Sequence, residues 1–333
     1  MIEHIEGMTA NEVWKKAANK ILQQNHITQG RTGETFELLH TIISIENPRQ
    51  KWIYDRVPPI SIGFALAELV WIMNGEDYSG IINYWNPSLT KYAGKEGHYH
   101  GAYGKRIRSH FGFDQLEKAY DAFLSNPESR QVVIQIYDTK SDFPLDKGLP
   151  RNSDIPCNVC SLLKIRKGKL EWSQIMRSND LLLGMPYNFV QFTSMQEILA
   201  GWLGLEIGAY VHYSDSLHLY CRDIDKIRIN HLPEEENMDS LALNKKMSEK
   251  IFGEIYKRMK KLTDSKITER DILILAQLDS EYMAYNNIMW VIAAYAAKKH
   301  CNEKLADELI KNCSNGTYTA MWNRWKCKEN KSN

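Results

Sequence analysis

Residues 154–190 read DIPCNVCSLLKIRKGKLEWSQIMRSNDLLLGMPYNFV, and the fold can be laid out from this stretch. Segment 161–178 holds two runs of mixed alternation about Lys167–Gly168, which predicts a β-hairpin, since glycine supplies the left-handed backbone of a tight turn. The loop LLLGMPYN follows. From Phe189 to Leu203 apolar residues dominate without alternation, and this predicts a long buried helix. Cys157 stands between strands, directly after a proline.

Working outward, RQVVIQIYD (130–138) reads as an apolar strand, and residues 115–124 as a helix that stops at NPES. Residues 81–110, rich in Gly, Tyr and His, read as functional loop rather than regular structure. Ile62 to Asn74 is a strong helix ending before Gly75, and Pro58 and Pro59 part it from the alternating strand HTIISIE. Residues 9–24 form a helix that Thr9 can cap. Downstream, AYVHYSDSLHLY (209–220) is a strand. Beyond about residue 224 the chain turns lysine-rich, with helices expected at 247–262, 269–278, 280–300 and 303–313. Strands before residue 220 and helices after it indicate an α+β fold, a mixed β-sheet flanked by helices. Residues 1–223 form the core region and 224–333 a helical C-terminal extension that stands alone or packs on that core.

The chain has 333 residues, 43% of them hydrophobic and 25% charged, with a formal charge of +1. A near-neutral balance argues against a general electrostatic grip on nucleic acid. Lysines of the extension alternate with acids (EEENMDS, TDSKITERD), which suits a solvated helix face better than a phosphate track. The start carries acids early and does not read as a signal peptide. Apolar stretches such as 288–297 are too short to span a bilayer. Six cysteines in such a chain fit reduced thiols and a cytoplasmic location.

Several side chains carry chemistry. Cys157 is followed by Arg177 in MRSND, Asn188 in GMPYN and His218 in LHLY. Glu68 lies on an otherwise apolar helix face, where an unpaired carboxylate costs several kcal/mol, so it is either salt-bridged or functional. Cys157 and Cys160 form a CxxC, but no second pair completes a metal site. His98 and His100 in GHYHG could ligate a metal, although loop polarity accounts for them as well.

In order along the chain, PCN, then RSND with LGMPYN, then HLY resemble the active-site series of thymidylate synthases and the related nucleotide hydroxymethylases. Upstream, GRTGETFELL, AELVWIMNGED, AYGKRIR and NPESRQVVI are similar to that family's phosphate loop, glutamate helix, tyrosine segment and arginine strand. The matches run over roughly residues 20–222. The resemblance implies a thymidylate synthase-like fold and an enzyme that transfers one carbon from 5,10-methylenetetrahydrofolate to C5 of a pyrimidine nucleoside monophosphate, with no metal. It implies Cys157 as the nucleophile, and Arg31, Arg177 and Ser178 as phosphate ligands, with Arg130 reaching across a homodimer. Asn188 is implied at the base edge, Glu68 as a proton relay and His218 with Tyr220 at the sugar. Asp180 is implied at the folate, and Trp85 and Tyr103 along the folate and the nucleophile.

The chain also departs from that pattern. Asn158 follows the nucleophile where thymidylate synthases usually have His, and Arg130 precedes Gln131 where they usually have two arginines. No basic residue stands just ahead of the glutamate helix. The chain ends WNRWKCKENKSN, polar and cationic, where the family has an apolar tail that closes over the folate. Poor exclusion of water favours hydroxymethylation over methylation, the alternative being a divergent thymidylate synthase acting on dUMP. Asn188 favours a uracil base. A catalytically quiet nucleotide-binding protein is the reading from another class, and retention of Cys157 counts against it.

Overall fold

The computed structural model of the chain describes residues 2–30, 32–91, 97–227 and 234–329. Its N-terminal half builds from local signals. After β1 (Glu3–Gly7), Thr9 caps α1 (Ala10–Leu22) by accepting from the Glu12 amide. A hairpin then joins β2 (Ile27–Gly30) to β3 (Gly33–Ile45). The strand expected at 40–46 is thus the second half of a longer one, which His40 interrupts at φ 55°. Ser61 caps α2 (Ile62–Met73), and Gly75, at φ 70°, follows the helix end.

Residues 81–110, expected as loop, are largely helical. They include most of α3 (Ser79–Trp85), a 3-10 turn at 87–91, and α4 (Tyr103–Lys105), which widens into a π turn at 106–110. Ile81, Ile82 and Trp85 share a buried helix face, a spacing that the surrounding Gly, Tyr and His obscure. Asp114 caps α5 (Gln115–Ser125). The strand expected over 130–138 is reduced to β4 (Val133–Gln135), because this edge strand has only β5 to pair with. The short α6 (Thr139–Asp142) follows.

The hairpin of β5 (Asn158–Arg166) and β6 (Lys169–Met176) closes through Lys167 and Gly168, both in the left-handed region, as a two-residue turn demands. After β7 (Asn179–Asp180) come α7 (Met185–Leu203) and β8 (Glu206–Tyr220). The strands join in one mixed sheet of order β1-β3-β8-β6-β5-β4, with β2 on β3 and β7 on β8. One sheet face carries Leu163, Leu170, Trp172 and Tyr210 into the core beside α7. The other, with Ile42, Cys160, Leu162, Ile175, Val211 and Tyr213, is partly exposed, Leu162 the most so.

The C-terminal region folds as α8 (Lys245–Leu262), α9 (Glu269–Ala276), α10 (Met283–Lys299), α11 (Glu303–Lys311) and α12 (Gly316–Glu329). These helices share one hydrophobic cluster with the N-terminal elements. α10 lies so close to α2 that a Cβ on Gly63 would stand 2.5 Å from the Tyr295 ring. Residues 322–329 of the expected polar tail belong to α12, and the rest of that tail lies outside the described residues. Tyr318, Met321, Trp322 and Trp325 recur at helical spacing and bury their side chains. Among the described residues no helix is long and apolar enough to cross a membrane.

Candidate active site

Cys157 sits one residue ahead of β5, partly buried and outside any disulfide. Its segment is braced by Arg177 from the end of β6. The Arg177 amide donates to the Cys157 carbonyl at 3.0 Å, Nε to the Pro156 carbonyl at 2.9 Å and Nη2 to that of Ile155 at 3.1 Å. A planar guanidinium can hold two acceptors at once in a way that an ammonium cannot. Ser178, half-buried, follows directly.

Tyr103 and Asn158 stand against the same thiol. The Tyr103 hydroxyl meets the Asn158 side chain, and burial, then the nearby Cys157, push the phenol above its ordinary range. Asn158 is fully buried and donates to Asn188 Oδ1 at 3.3 Å, which ties the amide of α7 to the residue next to Cys157. One turn further along α7, Gln191 Nε2 donates to Glu68 Oε2 at 2.6 Å. Burial raises the Glu68 carboxyl to about 7 against the pull of that hydrogen bond. Part of its surface stays open, but the atoms packed around it strip enough water from the carboxyl to favour the protonated form. An acid in this state both gives and takes a proton near neutral pH.

The remaining candidates flank this group. His218 lies on β8, in register with Asp180 of β7 on one side and Glu37 of β3 on the other. Asp180 Oδ1 accepts from the amides of Leu182 and Leu183, both at 2.8 Å, and burial raises this carboxyl. The Tyr220 hydroxyl accepts from Thr32 at 2.7 Å, and the Arg222 guanidinium covers its ring at 4.1 Å. Arg31 lies outside the described residues. Arg130 is exposed on the segment leading into β4. Trp85 stands apart from the group: its ring is 1% exposed, enclosed by Tyr84 and by Tyr295 of α10, and presents no open face.

His98 and His100 do not share a ligand site. The first bonds to Asp77 and the second to Asp142 and Arg106. Among the described residues no group of three His, Cys, Asp or Glu side chains is placed to hold a metal. Cys160 is half-buried on the partly exposed sheet face, and burial pushes its thiol up.

The residues that sequence reading missed are mostly amides. Gln174 and Gln191 connect site groups, and nothing in their spacing marks them. Arg222 was discoverable, since it lies two positions past Tyr220.

The chain matches known proteins over most of its length. A family model described as thymidylate synthase matches residues 12–268. The chain is 28% identical to a deoxyuridylate hydroxymethyltransferase of Bacillus phage SP01, over 65% of this chain and 58% of that protein. It is 31% identical to a deoxyuridylate hydroxymethyltransferase of Pseudomonas phage M6, over 49% of this chain and 46% of that one. A thymidylate synthase of Clostridium beijerinckii is 25% identical over 68% of this chain and 84% of its own. The chain thus spans about half the length of the two phage proteins. With a single family model covering Glu68, Cys157, Arg177 and Asn188 together, the chain belongs to the thymidylate synthase family.

Proposed function

We propose that the chain transfers one carbon from 5,10-methylenetetrahydrofolate to C5 of a uracil nucleoside monophosphate, with dUMP as substrate and a 5-hydroxymethyl nucleotide as product. The observation that carries this reading is the convergence of Cys157, Tyr103, Asn188 and Glu68, the last with its carboxyl at about 7. C5 of uracil is a weak nucleophile. Bond formation from Cys157 Sγ to C6 moves an electron pair through C5 onto O4 and makes C5 reactive. Asn188 pairs with the base edge, and Arg177, Ser178 and Arg31 hold the phosphate. Loss of the C5 proton and later expulsion of the thiolate restore the ring, and Glu68 is the group suited to move those protons.

The folate, when bound, supplies carbon at the formaldehyde level. Asp180 suits it, because two amides fix Oδ1 and leave Oδ2 to accept N–H groups of a pterin. Trp85 as placed offers a folate no ring face. Water that reaches the exocyclic methylene on C5 completes the hydroxymethyl group. The phage relatives' names favour this product. Reduction to methyl is the second reading, favoured by the Clostridium relative, which matches over most of its length.

We further propose a cytoplasmic homodimer. The cysteines carry no disulfide. The partly exposed, largely apolar face around Leu162, Ile175 and Val211 suits a second copy, with Arg130 completing the partner's phosphate site.

The test is incubation with methylenetetrahydrofolate and each of UMP, dUMP, CMP and dCMP, followed by mass spectrometry. A hydroxymethylated nucleotide with tetrahydrofolate released supports the reading. A methylated one with dihydrofolate assigns the second. No product and no Cys157 adduct overturns both and leaves a nucleotide-binding protein.

A further inference from the structure

An amide that reads a pyrimidine edge can face two ways, and each selects a different base. With Oδ1 toward N3 and Nδ2 toward position 4, it accepts from N3–H and donates to O4 of uracil. Turned over, it donates to N3 and accepts from the N4 amine of cytosine. Asn188 alone therefore does not choose. Its neighbours do.

The choice begins at Trp172. Its indole N–H can only donate, and it points at Gln174 Oε1 at 3.2 Å, which also accepts from Ser161 Oγ at 2.6 Å. Turning Gln174 over would set N–H against N–H. Gln174 Nε2 is thereby committed to Asn158 Oδ1 at 2.9 Å. That leaves the Asn158 amino group to donate to Asn188 Oδ1 at 3.3 Å. On the far side, Asn179 turns its own amino group to His212 and Ser214 and presents Oδ1 to Asn188 Nδ2 at 3.5 Å. Asn188 Oδ1 keeps a second lone pair, and Nδ2, besides its contact with Asn179, meets only the weak acceptor Met176 Sδ at 3.6 Å, so Asn188 remains able to bond a base. Asn158 and Gln174 are fully buried, Trp172 is 1% and Asn188 5% exposed, so there is little water to compensate a reversed amide.

We propose that Trp172, Gln174 and Asn158 are positioning residues that hold the Asn188 amide in its uracil-selecting orientation, with the direction set by the Trp172 N–H. The inference rests on the nucleotide reading above and deepens it.

Asn158→Asp reverses the direction, because a carboxylate there can take hydrogen bonds from Gln174 and Tyr103 but gives none to Asn188 Oδ1. Trp172→Phe removes the donor that prevents Gln174 from turning and touches nothing near the base. Equilibrium binding of dUMP and dCMP to the full chain at pH 8 reads both variants. In Asn158→Asp, dUMP weakens and dCMP tightens, moving their ratio toward cytosine by about tenfold or more, the scale of one mispaired buried hydrogen bond. In Trp172→Phe, the ratio relaxes in the same direction by a few fold. A merely structural role weakens both nucleotides alike. An unchanged ratio in a folded variant overturns the inference alone, and Trp172→Phe decides the matter if Asn158→Asp does not fold. Failure of the unaltered chain to bind either nucleotide overturns the nucleotide reading itself, and the inference with it.

Discussion

Gln191 donates a 2.6 Å hydrogen bond to Glu68 and leaves its own Oε1, buried, without a partner among the described residues. The carboxyl is thus held by a neutral amide rather than by a cation, and burial keeps it at about 7. Glu68→Gln removes the ionisable group proposed to carry protons while keeping the shape. Turnover falls by about a hundredfold or more, with nucleotide binding nearly unchanged, in steady-state assays beside direct binding.

The same shift has a consequence for stability. A carboxyl raised in the folded state binds protons there that the unfolded chain has already lost. Its contribution is therefore complete below pH 4.5 and lost as pH rises through about 7. Glu68→Gln gains thermal stability over the unaltered chain as pH goes from 5 to 8. A difference in Tm that stays constant across that range counts against an ionising Glu68.

His212 behaves in the opposite sense. Burial lowers it to about 3, so it is neutral where it meets Asn179 and Tyr210. Unfolding exposes an imidazole of ordinary basicity. Its stabilising contribution is full above about pH 6.5 and is lost as pH falls toward 3. His212→Asn flattens the acid limb of a Tm-against-pH curve over that interval.

Arg177 grips the Ile155 and Pro156 carbonyls with separate nitrogens. Arg177→Lys keeps the charge and loses the fork. Nucleotide affinity drops by about tenfold or more, and Cys157 alkylation by iodoacetamide changes even without nucleotide, because its segment loses a brace. Equal alkylation rates in the two proteins count against the bracing role.

Dimerisation can be read by complementation. Cys157→Ala and Arg130→Ala are each inactive alone. Mixed and allowed to exchange subunits, they regain part of the activity if Arg130 serves the opposite site. A mixture that stays inactive while light scattering shows dimers places Arg130 elsewhere.

The extent to which sequence disclosed this molecule follows from physics that can be named. The β5–β6 hairpin was legible because Lys167–Gly168 sits between alternating runs, α1 because Thr9 caps it, and α2 because Pro58, Pro59 and Gly75 bracket an apolar run. β1 was not, since only Ile5 of its residues is buried. The edge strand β4 was read too long, because Val132, Ile134 and Ile136 alternate as in a strand while regular pairing with β5 covers only Val133–Gln135, with one backbone bond each at Val132 and Ile136. α12 was hidden by its charge, with lysine and arginine around Trp322 and Trp325 masking the face they bury. In the site, Cys157, Arg177 and Asn188 lie in compact motifs. Trp85 was placed along the folate by resemblance, and nothing near it announces Tyr295, which arrives from a helix far along the chain and covers its ring. The amides that hold Asn188 carry no local mark, and only packing reveals their direction.

Tyr295 donates to the Trp85 carbonyl across 210 positions at 2.6 Å, and its ring presses on Gly63 of the Glu68 helix. A ribosome releases α2 and α3 long before α10. Until that late segment emerges, the nascent chain carries Glu68 on a helix whose outer side is bare apolar surface, open to chaperones and to neighbouring polysomes. Synthesis that stops short of α10 therefore yields an aggregation-prone precursor rather than a smaller enzyme.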